Sequence, residues 1–285
     1  MLYIKVFISS FFFYLMTQTL WAKSIPSPKN LKIPKRGQNS ITGSKLIEAL
    51  LCEPIYKRES MIMSQLKKGN IPDFLRQLKP VLIPYKDPKA KKQMYLTIYV
   101  MPDYLSVGTD DDFVRIPLNL SSALELTNSW NFILPTPKMV DLIYANADCK
   151  IPPHPLKPGP AMASPAYVKD HNLKVDLDTP DSASKKSLKA GHKKDIVLSN
   201  RLLEKKNRIA IYGWHRLTGK PIQPLSTVHR SDYADYSHGV RLVYNQVWLN
   251  KSWVPITQIL SSKKLSFTLS HEGPIKIIQP SQNCN

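Results

Sequence analysis

The sequence predicts an α+β fold on the basis of three observations. Runs with apolar residues at helical spacing dominate the first half, a proline-rich stretch follows at residues 151–187, and short runs rich in β-forming residues fill the rest. Because the helical and strand signals are separated along the chain, an α+β class is favoured over a doubly wound sheet. The expected architecture is a helix-rich N-terminal part with one β-hairpin and a mainly antiparallel C-terminal sheet.

Helical spacing is clearest in KLIEALLCEPIYKRESMIMSQLKKGN, which starts at residue 45. Ser44 is the predicted N-cap, Pro54 is expected to divide the segment into two helices, and Gly69 with Asn70 is expected to end it. A short helix in IPDFLRQL and a strand in QMYLTIYVMP follow.

A hairpin and two further helices come next. The runs YLSVG and FVRIPL flank TDDD and predict the hairpin, and LSSALELTNSWNFIL and TPKMVDLIYANA predict the helices. Ser121 is the predicted cap of the first helix, and Thr136, ahead of Pro137, of the second.

The stretch IPPHPLKPGPAMASP, from residue 151, is too rich in proline for a helix or a central strand. Polar residues extend this surface crossing to residue 187. Beyond it, KDIVLS, RIAIYGWH, GVRLVYNQVWLN and SWVPITQIL predict strands, with a tight turn at LNKSW. The chain therefore divides into a helix-rich part at 45–150, the crossing at 151–187 and a mainly β part at 188–285.

The N-terminus predicts export. Lys5 precedes an uncharged apolar run from Val6 to the small Ala22, which is the pattern of a secretory signal peptide. Cleavage after residue 22 would leave residues 23–44 as a flexible leader and a periplasmic or secreted chain without a transmembrane segment. The alternative is a retained N-terminal anchor.

The composition is strongly basic, with a formal net charge of +19. A protein with this much positive charge produces an electrostatic field that attracts polyanions. For an exported protein the expected partners are an anionic envelope polymer or lipid headgroups, and no nucleic acid. The alternative is a lysine-rich surface that serves solubility alone.

Three cysteines occur in the chain: Cys52, Cys149 and Cys284. Export permits disulfides, but an odd count leaves at least one thiol unpaired within the chain. A pair between Cys52 and Cys149 is one arrangement that the sequence leaves open.

Histidines cluster in the C-terminal part, where four of the seven lie between His192 and His238. Each stands at a predicted strand end or in an adjoining loop, and such loops often carry active sites. The candidate catalytic residues are His192, Asp195, His215, His229, Asp235, Ser237 and His238. The candidate substrate-binding residues are Trp214, Tyr236 and Arg241. Aromatic faces suit sugar rings, and an arginine can bind a carboxylate or phosphate. The alternatives are unrelated surface histidines, core aromatics and a solvent-facing arginine.

A zinc site is a further hypothesis for the segment HRSDYADYSHGVRLV. His229, Asp235 and His238 are candidate ligands, because imidazole and carboxylate groups bind zinc. Their spacing matches no recognised zinc motif. Asp110, Asp111 and Asp112 form a second carboxylate group, for which Ca²⁺ or Mg²⁺ binding and pairing with lysines are the two alternatives.

The motif SHGVRL resembles the SHGC-x-R signature of the L,D-transpeptidases, which crosslink peptidoglycan. The resemblance implies a histidine upstream on a strand, and IAIYGWH ends at His215. Val240 stands where that family has its nucleophilic cysteine, so transpeptidase chemistry is not assigned. Ser237 is then the remaining candidate nucleophile, and it would need an activating base.

Five further motifs together resemble a group of uncharacterised exported bacterial proteins: PDYLSVGTDDDFVRIPL, LPTPKMVDLIY, AGHKKDIV, YGWHRLTGKPIQPL and YADYSHGVRLV. The resemblance implies one unit from about residue 45 to residue 273 and implies no activity.

The leading expectation is an exported cell-envelope hydrolase with a histidine-rich site in the C-terminal part. The alternatives are a non-catalytic binder of anionic envelope glycan or lipid, and a secreted effector. Histidines that converge on one concave pocket would favour the hydrolase. Dispersed histidines beside clustered lysines and exposed aromatics would favour the binder.

Overall fold

The computed structural model describes residues 25–86, 93–180 and 182–276. The predicted signal peptide and Cys284 lie outside the described residues. No helix within the described ranges is both long and apolar enough to cross a bilayer.

Six α-helices occur in the described part of the chain: α1 Gly43–Leu51, α2 Ile55–Lys67, α3 Leu120–Trp130, α4 Pro137–Ala145, α5 Pro165–Leu177 and α6 Ile256–Ser261. The predicted break at Pro54 is confirmed, because α1 ends before it and α2 begins after it. Thr136 caps α4 as predicted, since its hydroxyl accepts a hydrogen bond from the amide of Met139. Short 3₁₀ turns lie at Asp73–Arg76, Pro160–Ala163, Asn200–Leu203 and Ser266–Thr268.

Two predicted helix caps are wrong by two residues each. Thr42 caps α1 in place of Ser44, and Asn119 caps α3 in place of Ser121. Both true caps have extended backbones and side chains that accept a hydrogen bond from the amide three residues on.

The strands are β1 Lys79–Tyr85, β2 Met94–Val100, β3 Ser106–Gly108, β4 Phe113–Arg115, β5 Phe132–Ile133, β6 Cys149–Lys150, β7 Lys189–Ala190, β8 Lys194–Ile196, β9 Ile211–His215, β10 Pro221–Ser226, β11 His238–Gly239, β12 Val243–Tyr244, β13 Gln246–Leu249 and β14 Ser252–Pro255. The predicted hairpin around TDDD is confirmed by the antiparallel pair β3–β4. The predicted turn at LNKSW is confirmed by the β13–β14 hairpin, in which Asn250 and Lys251 have φ of 51° and 63°.

The largest sheet has six strands, all paired antiparallel. Strand β2 pairs with β1 on one side and with β12 and β13 on the other. Strand β1 was not predicted. The sheet tolerates Pro80 and Pro84 because β1 lies at its edge, where a proline without an amide hydrogen removes no hydrogen bond between strands. Since β2 and β12–β14 come from opposite halves of the chain, the two halves share this sheet. The α+β class is confirmed.

A second sheet of four strands, in the order β10-β9-β8-β11, positions the candidate site. Strand β8 pairs antiparallel with β9 and parallel with β11. Lys194 lies opposite both Gly213 and His238, while Asp195 lies opposite Tyr212 and Gly239. Residues from three separate sequence motifs thus become neighbours.

Helix α5 lies inside the predicted crossing at 151–187 and was not predicted. Its sequence, PAYVKDHNLKVDL, has little amphipathic pattern, so spacing alone did not indicate it. The signal that marks it is local: Ser164 caps the helix and Pro165 is its first residue.

Residues of the segment predicted as a flexible leader contact the folded body. The Tyr99 hydroxyl donates to the carbonyl of Pro26 at 2.6 Å, and Arg76 Nη2 donates to the carbonyl of Pro34 at 2.7 Å. Ile33 is buried.

Candidate functional site

Charged and polar side chains fill the interior beside the second sheet. Those less than 5% exposed include Asp103, Arg115, His192, Lys193, Asp195, His215, Asp235, Ser237, His238 and Arg241. Burying a charge costs free energy unless the charge is paired or hydrogen-bonded. The partners of each group therefore decide what it can do.

Asp103 and His192 form one buried pair. His192 Nε2 lies 3.0 Å from Asp103 Oδ1, and Arg115 donates to the other carboxylate oxygen. Burial alone would raise the pKa of Asp103, but Arg115 and then His192 hold it well below its ordinary value. Burial lowers the pKa of His192 to about 4, against the opposing effect of Asp103. His192 Nδ1 is also buried and has no hydrogen-bond partner among the described residues.

Asp195 and Tyr104 form a second buried pair beside Arg241. The Tyr104 hydroxyl donates to Asp195 Oδ2 at 2.7 Å. Burial raises the pKa of Asp195 to about 6, although Arg241 and the hydrogen bond from Tyr104 act in the opposite direction. A carboxyl group with such a pKa can exchange a proton near neutral pH.

His215 is held by Asp141. The Asp141 Oδ1 atom lies 2.9 Å from His215 Nε2 and also accepts a hydrogen bond from the Tyr212 hydroxyl at 2.9 Å. The ring of Tyr144 stacks on that of His215, with 4.5 Å between centroids. Because Asp141 can only accept, the proton of a neutral His215 is assigned to Nε2, which leaves Nδ1 free to act as a base.

The Asp195–Tyr104 pair and His215 meet at one crevice. It is lined by Tyr104, Val140, Ile143, Tyr144, Ala190, Gly191, Asp195, His215 and Arg241. The space between the lining atoms is about 190 Å³, part of it open to solvent, and no water-sized sphere fits freely inside it. Gly191, with φ of 106°, is required here because an added Cβ would lie 2.5 Å from the carbonyl oxygen of Ile151.

His229, Asp235 and His238 form a separate cluster around Tyr233. The rings of His229 and Tyr233 stack at 4.7 Å, and the ring of His238 lies 5.7 Å from each. The Tyr233 hydroxyl donates to Asp235 Oδ2 at 3.0 Å. The cluster is thus organised by an aromatic ring that the sequence analysis did not select.

Ser237 is not activated by a histidine. Its hydroxyl and its amide both donate to Asp235 Oδ1, at 2.6 and 2.7 Å. This is a local side-chain turn of the kind that Asp favours. The hydrogen-bond partner of the candidate nucleophile Ser237 is therefore the Asp235 carboxylate.

Trp214 and Tyr236, the two aromatic residues predicted to bind substrate, are both buried and so are not accessible to a substrate at the surface. Tyr236 is 1% exposed, and its hydroxyl accepts from the amide of Leu156. Trp214 is 5% exposed and has φ of 57°, a strained conformation for a bulky residue. The ammonium of Lys194 lies 4.8 Å from the centroid of the Trp214 indole.

Within the described ranges, no group of three or more His, Cys, Asp or Glu side chains is arranged to hold a metal ion. The carboxylates of the TDDD loop have protein partners. Asp112 accepts from Ser44, Asp110 accepts from the amide of Phe74, and Asp111 pairs with Lys185.

The cysteine pair that the sequence left open is absent from the structure. Cys52 and Cys149 are both free. Cys52 is exposed at the end of α1, whereas Cys149 is buried in β6.

Three of the predicted residues, Asp195, His215 and Arg241, therefore line one crevice, while His192 lies beyond Tyr104 and the 229–238 residues lie apart. The crevice residues that the sequence analysis missed are Tyr104, Tyr144 and, beside His215, Asp141. They precede the histidine-rich part of the chain, and only folding brings them to it. The position of Tyr104 just after a predicted strand was the one available signal.

No protein-family model, no curated protein and no solved structure matches this chain.

Proposed function

We propose that this chain is an exported cell-envelope hydrolase that performs acid–base chemistry in the crevice. The observation that carries the proposal is that Asp195, His215 and Arg241 line the same small cavity. A carboxyl group of raised pKa and an oriented histidine in one cavity form an acid–base pair.

His215 is the proposed general base. Asp141 holds its Nε2, so Nδ1 can take a proton from an attacking water molecule. Asp195 is the proposed general acid, because a pKa of about 6 leaves a protonated fraction near neutrality. Water adds its oxygen to the substrate, the bond to the leaving group breaks, and Asp195 protonates that group. Solvent then returns a proton to Asp195 and removes one from His215.

The crevice must widen for a substrate to enter, since no water-sized sphere fits in it. Tyr144 is the proposed mobile wall. Its hydroxyl donates to the carbonyl of Arg216 at 2.7 Å, in the exposed turn between β9 and β10. Movement of that turn would release the Tyr144 hydroxyl and so allow the ring to rotate away from His215.

The test is release of soluble fragments from purified peptidoglycan sacculi and from anionic envelope glycan, followed by liquid chromatography and mass spectrometry. Asp195→Asn and His215→Asn are expected to reduce the rate by about 10²-fold or more. The matched controls are Asp170→Asn and His271→Asn, at exposed positions, which should keep the rate. Equal rates in all four variants would overturn the proposal.

A second proposed function is non-catalytic binding of an anionic envelope polymer or lipid headgroups. It is supported by the net charge of +19. Binding driven by charge should weaken steeply as salt is raised. Sedimentation with sacculi and with anionic lipid vesicles at low and high salt measures this directly.

Zinc in this protein is a proposal supported only by the contact between the rings of His229 and His238 and by the two ring nitrogens of His238, which have no partner among the described residues. Mass-spectrometric metal analysis of the purified protein, with His229→Ala and His238→Ala, tests it. A wild-type protein without zinc would end this proposal and leave the crevice proposal in place.

A further inference from the structure

We propose that the crevice binds a carboxylate group of the substrate through Arg241. This inference rests on the proposed function and deepens it, because it names the substrate class as a molecule with a carboxylate near the bond to be hydrolysed. The argument uses the partners of Arg241, the charges around Tyr144 and the position of Asp195.

The guanidinium of Arg241 is buried, and one of its three nitrogens, Nε, has no hydrogen-bond partner among the described residues. Nη1 donates to the carbonyl of Met101 at 2.9 Å and Nη2 to that of Lys189 at 2.6 Å. Arg241 is only 1% exposed. An arginine side chain keeps its charge, and an unused buried donor costs free energy. An anionic acceptor in the crevice would satisfy both.

Positive groups lie around Tyr144, one of the residues that line the crevice. The ammonium of Lys150 lies 5.3 Å from the centroid of the Tyr144 ring. Arg216 and Lys220 are exposed in the turn that holds the Tyr144 hydroxyl. Positive groups around a narrow opening raise the local concentration of anions. Because the crevice must first widen even for a water molecule, a group of a few atoms such as a carboxylate would enter it more readily than a sugar ring.

The protonation state of Asp195 should control how tightly the crevice binds a carboxylate. It lines the same crevice as Arg241, so a bound carboxylate would place a second negative charge beside the one guanidinium. Protonation of Asp195 removes that repulsion. Tyr104, Tyr212, Asp141, Tyr144 and His215 also face this region. Carboxylate binding should therefore take up a proton and weaken as pH rises.

The experiment is ligand-observed saturation-transfer NMR on the full chain after removal of residues 1–22, with propionate as the probe and neutral propionamide as its isostere. Wild-type protein should bind propionate and not propionamide. The affinity should fall by at least about 10-fold, and up to about 100-fold, between about pH 5 and pH 8. Arg241→Gln should abolish binding, and Arg230→Gln, at an exposed ion pair, should leave it unchanged.

Arg241→Gln could fail to fold, because Arg241 donates hydrogen bonds to two backbone carbonyls. Asp195→Asn provides a second variant that tests the inference in that case. This variant should bind propionate at pH 8 about as well as wild type does at pH 5. His215→Asn should keep the pH dependence. Equal binding of propionamide, no binding of propionate by the folded wild type, or an unchanged pH dependence in Asp195→Asn would overturn the inference.

The two proposals fail separately. Propionate binding without hydrolysis of any envelope polymer would keep the carboxylate site and remove the hydrolase. Hydrolysis without selective propionate binding would do the reverse.

Discussion

Asp103 and Arg115 form a buried ion pair in which two arginine donors share one carboxylate oxygen. Arg115 Nε and Nη2 lie 3.1 and 2.8 Å from Asp103 Oδ2, and the two side chains are 2% and 0% exposed. Arg115 Nη1 also bonds to Asn172 and to Asp176. The pair joins the hairpin strand β4 to helix α5 and to the segment after β2.

Asp103→Ala should destabilise the fold by about 3–5 kcal/mol, because it leaves the Arg115 charge buried with only its weaker partners. Urea unfolding near neutral pH measures the change. Asp170→Ala, which removes an exposed pair with Lys174, is the control and should cost less than about 1 kcal/mol. A similar small loss in both variants would mean that Asn172 and Asp176 suffice for Arg115.

Asp195 should make the fold less stable as pH rises. Its folded pKa of about 6 exceeds the ordinary value of 3.8, so the folded state binds the proton more tightly. The stabilisation is complete below about pH 3.8 and is lost as pH rises through 6. The loss is about 3 kcal/mol for this fully buried group.

Asp195→Asn removes that loss, since an amide does not ionise and its oxygen can still accept from Tyr104. Relative to wild type, the variant should gain stability between about pH 4 and pH 8 by an amount of this order. Urea unfolding across this range compares the two proteins. A constant difference between them would show that Asp195 titrates normally.

His238 should remain neutral in the folded protein at mildly acidic pH. Burial lowers its pKa to about 4, although Asp235 acts in the opposite direction, and Lys193, Lys194 and His229 add to the lowering. The carbon-bound proton resonance of its ring should therefore not titrate between about pH 8 and pH 5. His238→Phe identifies the resonance. A midpoint near the ordinary value of 6.5 would contradict the buried, neutral state.

Lys251→Gly should stabilise the β13–β14 hairpin by about 0.5–1 kcal/mol. Asn250 and Lys251 both have positive φ, which defines a turn that prefers Asn-Gly. Lys251→Ala is the matched control and should not stabilise, because alanine gains nothing in a left-handed conformation. Thermal unfolding of the two variants decides the matter, and a destabilised Lys251→Gly would refute the turn assignment.

Gly239→Ala should destabilise the fold by about 1–3 kcal/mol or more. An added Cβ would lie 2.6 Å from Tyr104 Cδ1 and 2.7 Å from Lys193 Cβ. Gly37→Ala, whose Cβ would meet only the Ser40 hydroxyl at 3.2 Å, is the control. Equal stability of both variants would show that the sheet beside Tyr104 yields easily.

The sequence by itself determined the α+β class and many, but not all, of the local elements. The break at Pro54, the Thr136-Pro137 helix start and the turn at Asn250 and Lys251 depend on residues next to one another, so local rules suffice for them. Strand β1 and helix α5 escaped prediction because prolines in β1 and a weak amphipathic pattern in α5 mask the usual signals.

Only the tertiary structure decided which polar residues work together. The histidines that cluster in the sequence lie in three separate environments. Asp103 binds His192, Asp141 binds His215, and the ring of Tyr233 packs against His229 and His238. The partners of His192 and His215 come from 89 and 74 residues away. Spacing along a chain cannot report such pairs, since they form only when the sheet and helix α4 pack and exclude water from the charges between them.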